Sequence, residues 1–140
     1  MWRKNCQPNA RNLCVGTDPN QNWASNWGSD GTTSKNPCSD SYIGTFPFSA
    51  PEPKSLANYI TSQNSAVISF IDFHAYSQLW MYPYGAFCDH TAPIHIESAA
   101  QHAASALKSV HRKTFAVGSI CNIIYQASGS SVNFAYDTAK

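Results

Sequence analysis

The stretch Ala66-Val67-Ile68-Ser69-Phe70-Ile71-Asp72-Phe73-His74-Ala75-Tyr76-Ser77-Gln78 passes from an apolar run into Asp, His, Tyr, Ser and Gln. Its first six residues have the length and composition of a buried strand. Polar side chains then cluster where the strand should end, which is where α/β proteins gather their chemistry. On pattern alone His74 is open to two readings, a hydrogen-bonded core histidine or a ligand.

The chain around this stretch has 140 residues, room for one domain with a single core. A net charge of +1 and the absence of any basic run leave no electrostatic footprint for nucleic acid. Aromatic content of 13% favours an ordered globular chain over a disordered one. No stretch approaches the roughly 18 apolar residues of a membrane span, and Met1-Trp2-Arg3-Lys4-Asn5-Cys6 lacks the apolar core of a signal peptide. The five cysteines sit singly among turn residues and form no C-x-x-C pair, a usage that fits an oxidising compartment. Cysteines of a secreted type without an export signal are reconciled if the sequence is truncated.

Residues 1 to 50 are rich in Asn, Ser, Gly, Pro, Asp and Thr, with small apolar islands such as Leu13-Cys14-Val15. Such a stretch predicts long ordered loops with one or two short strands, held by cross-links and by packing on something else. Cys14 and Cys38 would close one such loop, and a disulfide of that span contributes about 3 kcal/mol in the chain-entropy description. From Pro51 to about Thr61 a helix is expected, with proline in its first turn, Glu52 at its positive end, and Leu56, Tyr59 and Ile60 facing inward. Leu79-Trp80-Met81-Tyr82 reads as a short strand stopped by Pro83-Tyr84-Gly85. Pro93 opens the longest helix, which reaches about His111 and carries an apolar stripe of Ile96, Ala100, Ala103, Leu107 and Val110. Thr114-Phe115-Ala116-Val117 predicts another strand. Helix and strand patterns alternate, so the class is α/β.

Four polar features could carry chemistry in that frame: Arg3 beside Trp2, the run Asp18-Pro19-Asn20-Gln21-Asn22-Trp23, His74 with Tyr76, and Tyr125 before the loop Gln126-Ala127-Ser128-Gly129-Ser130-Ser131. Each alone also fits a structural reading: a surface charge, a turn, a packed aromatic. No G-x-S-x-G nucleophile elbow occurs. His95 and His102 lie seven apart with no partner at the spacing of a helical zinc pair, which marks them as surface residues.

Taken in order, the motifs Met1-Trp2-Arg3-Lys4, Cys14-Val15-Gly16-Thr17-Asp18-Pro19-Asn20-Gln21-Asn22-Trp23, Pro37-Cys38-Ser39, His74-Ala75-Tyr76-Ser77-Gln78, Tyr82-Pro83-Tyr84-Gly85 and Ile124-Tyr125-Gln126-Ala127-Ser128-Gly129 resemble the zinc metallocarboxypeptidases of the carboxypeptidase A and B family. The resemblance covers essentially the whole chain. It implies a three-layer α/β/α domain with a mixed central sheet, of which residues 1 to 140 are a partial domain, incomplete at both ends. It also implies Zn2+ as cofactor, with His74 as one ligand. The H-x-x-E pair supplying the other two would lie before Met1, and the glutamate that serves as general base after Lys140.

By the same resemblance Arg3 polarises the scissile carbonyl and stabilises the oxyanion. Asn20 and Gln21 take the place of the pair that grips the C-terminal carboxylate of the substrate, Tyr125 closes over it, and Tyr76 belongs to the substrate-binding set. Ile120 and Val132 line the specificity pocket, and an apolar Val132 at its floor implies a preference for aliphatic or aromatic C-terminal residues, since a buried cation would find no partner there. Gln21 departs from the family's D-x-N-R-N-W run, and a neutral amide gives up the charge-assisted bidentate pair of an arginine. That departure leaves room for a second reading, a non-catalytic peptide-binding relative. The resemblance further implies disulfides Cys14–Cys38 and Cys88–Cys121 with Cys6 left over, and cis peptides at Ala75-Tyr76 and Pro83-Tyr84. The partners it implies are peptide or protein C-termini, and the protein is expected to be secreted and, when complete, monomeric.

Overall fold

The computed structural model describes residues 2–10, 13–29, 33–63 and 66–138. Helix α1 spans Pro51–Ser62, strand β1 Leu79–Tyr82, helix α2 Ile94–His111, strand β2 Ala116–Ser119, the short helix α3 Ile120–Ile123, and helix α4 Ser131–Thr138. β1 and β2 are parallel, in register from Leu79 opposite Ala116 to Tyr82 opposite Ser119. α2 forms the crossover between them and lies against both, which makes this a β-α-β unit. The class is therefore α/β, and among the described residues the sheet has two strands.

Both long helices begin at the prolines that announced them. In α1, Pro51 occupies the first turn, and Glu52 lies at the positive end. Its inner face, however, is Pro53, Ala57 and Ile60. Leu56 and Tyr59, expected inside, lie instead along a groove of about 390 Å³ shared with residues 66–70. α2 buries Ala100 and Ala104 and leaves Leu107 and Val110 exposed. The cause is length: its 18 residues extend about 27 Å, whereas a four-residue strand covers about 13 Å, so the last turns overhang the sheet. Arg112 ends the helix in the left-handed region, with its N–H donating to the Lys108 carbonyl.

Residues 66–71 do not form the expected strand. From residue 67 to residue 77 the chain makes no backbone hydrogen bond among the described residues, and a strand exists only through its ladder. Ile68 and Phe73 are accordingly exposed. β2 begins two residues later than the apolar run suggested, at the point where the Ala116 N–H donates to the Gln78 carbonyl. Among the described residues of 1–50 the short strands reduce to one isolated bridge, Ser34 with Tyr42.

The core is an aromatic cluster. The Trp23 ring lies 6.0 Å from Phe48 and 5.4 Å from Phe134, and Phe48 lies 5.3 Å from Phe134. Ala57, Ile60 and Ala135 pack against them. Trp23 is also tied to the later chain by backbone: its N–H donates to the Gly129 carbonyl, and the Gly129 N–H donates to Ser25. Gly129 has φ 64°, and a β-carbon there would stand 2.5 Å from the Gln21 carbonyl oxygen, so only glycine permits this approach.

The loops before α1 are joined by polar side chains. Asn22 is fully buried; its amide nitrogen donates to the Ile43 carbonyl, the Phe46 carbonyl and the Ser49 hydroxyl, and its oxygen accepts the Ala50 N–H. Cys14 is bonded to Cys38 and Cys88 to Cys121, while Cys6 is free and exposed. The Ala75-Tyr76 and Pro83-Tyr84 peptides are cis. Asn22→Ala leaves the buried Ala50 N–H without its partner, while the Ile43 carbonyl keeps the Trp27 indole N–H, and is expected to destabilise the fold by about 2 kcal/mol; a urea titration of both proteins measures it, and an unchanged midpoint would remove Asn22 from this role.

Candidate functional site

Asp18 precedes the single 3-10 turn Pro19–Gln21 and caps it, one carboxylate oxygen accepting the Asn20 N–H at 3.1 Å. The other oxygen accepts Nε of Arg3 at 2.8 Å. The Asp18 carboxylate is almost completely buried, and the Arg3 side chain is half exposed. Burial pushes the Asp18 carboxyl up from its ordinary value, opposed by the hydrogen bond and charge of Arg3 and by the Asn20 N–H. Because Nε is taken, the terminal nitrogens of Arg3 remain directed elsewhere, with no hydrogen bond among the described residues.

A cleft of about 350 Å³ opens beside this turn, between α1, the extended segment 70–74 and the start of α4. Asn20 lines it, together with Trp23, Phe70, Asp72, His74 and Ser131. Asp72 and His74 are two apart in an extended segment, a spacing that places both side chains on one side of the chain. Nε2 of His74 stands 3.3 Å from Oδ2 of Asp72, and the Ser131 hydroxyl donates to that same carboxylate oxygen. Asp72 draws the His74 imidazole up from its ordinary pKa, against the effect of partial burial; Arg3 lowers it and Asp18 raises it slightly. Asp72 is in turn held below the ordinary carboxylate value by His74, with burial opposing and Ser131 assisting.

Nδ1 of His74 makes no hydrogen bond among the described residues, so the imidazole can accept a metal ion there while Asp72 holds the opposite nitrogen. The described residues contain no group of three or more His, Cys, Asp and Glu side chains able to hold a metal.

Of the other residues singled out in the sequence, Gln21 is buried at the end of the 3-10 turn, and its side-chain oxygen has no hydrogen-bond partner. Ile120 is buried against Gly85, where a glycine β-carbon would stand 3.1 Å from its Cγ2. Val132 is half-buried in the first turn of α4, next to Ser131. Tyr125 and Tyr76 are exposed. The structure thus brings Asn20 and His74 into one cleft and places Arg3 in the same electrostatic neighbourhood. Arg3, Gln21, Tyr76, Ile120, Tyr125 and Val132 do not line that cleft. Asp72 and Ser131 were not among the expected site residues. The D-x-H spacing was a usable signal for Asp72, whereas Ser131 is 59 residues away in sequence.

A profile of the zinc carboxypeptidase family matches residues 1–140. Carboxypeptidase A2 of Mus musculus is 47% identical over 138 residues, covering 98% of this chain and 33% of its own length. A zinc carboxypeptidase of Simulium vittatum is 40% identical, over 99% of this chain and 45% of its own. Among solved structures, bovine thrombin-activatable fibrinolysis inhibitor in complex with tick carboxypeptidase inhibitor superimposes with a TM-score of 0.91 at 35% identity, over 98% of this chain and 47% of that one. Carboxypeptidase A from Helicoverpa armigera gives 0.89 at 28% identity, over 98% of this chain and 34% of that one. The chain belongs to the zinc carboxypeptidase family, on the carboxypeptidase A side. It spans about a third of the length of the mammalian relatives it matches. No helix among the described residues is long and apolar enough to cross a membrane.

The Asp72–His74 pair sets a pH window in the metal-free chain. The contribution of Asp72 is present above the ordinary carboxylate pKa and lost as pH falls through its lowered value; that of His74 is present below the ordinary imidazole pKa and lost as pH rises through its raised value. The pairing is therefore strongest in weakly acidic solution. Asp72→Asn is expected to lower the His74 titration midpoint, followed by NMR of its ring protons, and an unchanged midpoint would show that the two do not pair.

Proposed function

We propose that these 140 residues are part of a secreted zinc-dependent metallocarboxypeptidase that hydrolyses the C-terminal peptide bond of peptides and proteins. The observation that supports the reading is that His74 and Asn20 line one cleft, with Asn20 on the turn that Asp18 caps and Asp18 in turn paired with Arg3. Zinc supplies Lewis acidity to the hydrolysis when bound. The role of His74 is to hold it through Nδ1, as one of three protein ligands, the other two coming from outside these residues.

Arg3 carries the electrostatic part of the reaction. Asp18 holds its Nε and so fixes the guanidinium, leaving the terminal N–H groups to face the scissile carbonyl as negative charge develops on its oxygen. Asn20, whose carboxamide has no hydrogen bond among the described residues, takes the substrate's terminal carboxylate. Gln21 stands beside it as a neutral second group, Tyr125 closes over the bound end, and Tyr76 contributes to the substrate-binding surface. Ile120 and Val132 give the pocket an apolar lining, which selects aliphatic or aromatic C-terminal side chains because a buried ammonium or guanidinium would lack a counter-charge.

One zinc ligand and no general base leave these 140 residues without hydrolytic activity on their own. Chelator-sensitive release of phenylalanine from a peptide C-terminus by the isolated chain would overturn that statement. In a complete peptidase carrying this segment, Val132→Asp is expected to move the preference toward C-terminal Lys and Arg, read as the ratio of kcat/KM values; an unmoved ratio would remove Val132 from the pocket floor. Gln21→Arg in the same enzyme should lower KM for a free C-terminal carboxylate by roughly tenfold, the equivalent of about 1.4 kcal/mol. If KM does not change, Gln21 does not face the carboxylate.

A further inference from the structure

His74 lies in a segment whose backbone makes no hydrogen bond from residue 67 to residue 77 among the described residues. No ladder fixes the direction of its imidazole, and side-chain contacts must do so. The contact available is Asp72, 3.3 Å from Nε2, and the carboxylate of Asp72 is itself held by Ser131.

We propose that Asp72 and Ser131 are positioning residues for His74: Asp72 holds Nε2 so that Nδ1 is presented to zinc, and Ser131 anchors Asp72 to α4. This rests on the reading of His74 as a zinc ligand. Ser131 is 3% exposed and is the first residue of α4. Its hydroxyl is not spent on capping the helix, since Ser130 performs that task by accepting the Asn133 N–H at 3.3 Å. α4 is a firm support, because Phe134 and Ala135 are part of the aromatic core around Trp23. The chain of contacts therefore runs from the core, through one hydroxyl and one carboxylate, to the imidazole. A carboxylate behind a ligating histidine fixes its tautomer and raises its basicity, and loss of such a partner lowers metal affinity by about 10- to 100-fold. Val132, the proposed pocket floor, is the next residue along the same helix turn, so the selectivity element and the support of the metal ligand share one backbone segment.

The test is zinc affinity, by chelator competition, in a zinc-loaded full-length peptidase carrying this segment, with the thermal midpoint of the metal-free protein recorded alongside. Asp72→Asn is expected to weaken zinc binding by about 10- to 100-fold and Ser131→Ala by about tenfold, while the metal-free midpoint falls only by the small contribution of the Asp72–His74 pair and the protein stays folded. Ser131→Thr, which retains the hydroxyl, should restore the affinity lost in Ser131→Ala. Wild-type affinity in Asp72→Asn overturns the proposal, as does an equal loss in Ser131→Ala and Ser131→Thr, which would report packing alone. Should Ser131→Ala fail to fold, Asp72→Asn with its near-identical shape still decides the matter. If His74→Ala leaves zinc affinity unchanged, the assignment of His74 as ligand fails first, and the positioning role falls with it.

Discussion

One carboxamide holds the first third of the chain in place. Asn22 donates to two carbonyls and a hydroxyl of the 43–49 loop and accepts the N–H of Ala50 at the threshold of α1. This first third carries so little apolar sequence that most of its largest fully buried side chains are polar: of Ile43, Asn22, Thr17 and Asp18, only Ile43 is apolar. Buried polar groups are stable when each finds its partner, and a network of this kind then specifies geometry more sharply than apolar packing does. The turn bearing Asn20 and the carboxylate that fixes Arg3 inherit their positions from it.

The same turn leads directly into Trp23, which ends the polar network and begins the aromatic core. In and beside the adjoining cleft the charges pair, His74 with Asp72 and Arg3 with Asp18, and each carboxylate also accepts from a neutral donor: the Asn20 N–H on the second oxygen of Asp18, and the Ser131 hydroxyl on the same oxygen of Asp72 that faces His74. Two parallel constructions result, each a carboxylate that fixes a cationic or basic side chain while leaving its working nitrogen uncommitted. One would act on the substrate carbonyl and the other on the metal.

Much of this was legible before any coordinates. Prolines 51 and 93 marked both long helices and Pro83 marked the end of β1; of the residues the ordered motifs named, Asn20 and His74 line one cleft. The strand at 66–71 was misread because side-chain pattern specifies which faces are apolar, while a ladder also needs a neighbouring backbone. Leu56 and Tyr59 were misplaced for a related reason. Helical periodicity gives a stripe about 100° wide, and which edge of it turns inward depended on Trp23 and Ala135, far away in sequence. Gln21 illustrates a third limit, since its identity was plain but its burial with an unpartnered oxygen was not. Ser131 was hidden among small residues of a loop, with nothing local to distinguish it from Ser128 or Ser130.

The pairing of Trp23 with Gly129 joins positions separated by 106 residues, and that separation has a meaning in time. At a synthesis rate of about 5–20 residues per second, the Asn20–Trp23 turn is synthesised roughly 5 to 20 seconds before the glycine that closes over it. During that interval the tryptophan has neither Phe134 nor the Gly129 carbonyl to meet. Contacts of such long range are formed late and make folding slow. The segment therefore has a vulnerable age, between the emergence of its first loops and the arrival of α4, in which its indole and its unladdered apolar stretch are both open to whatever binds nascent chains.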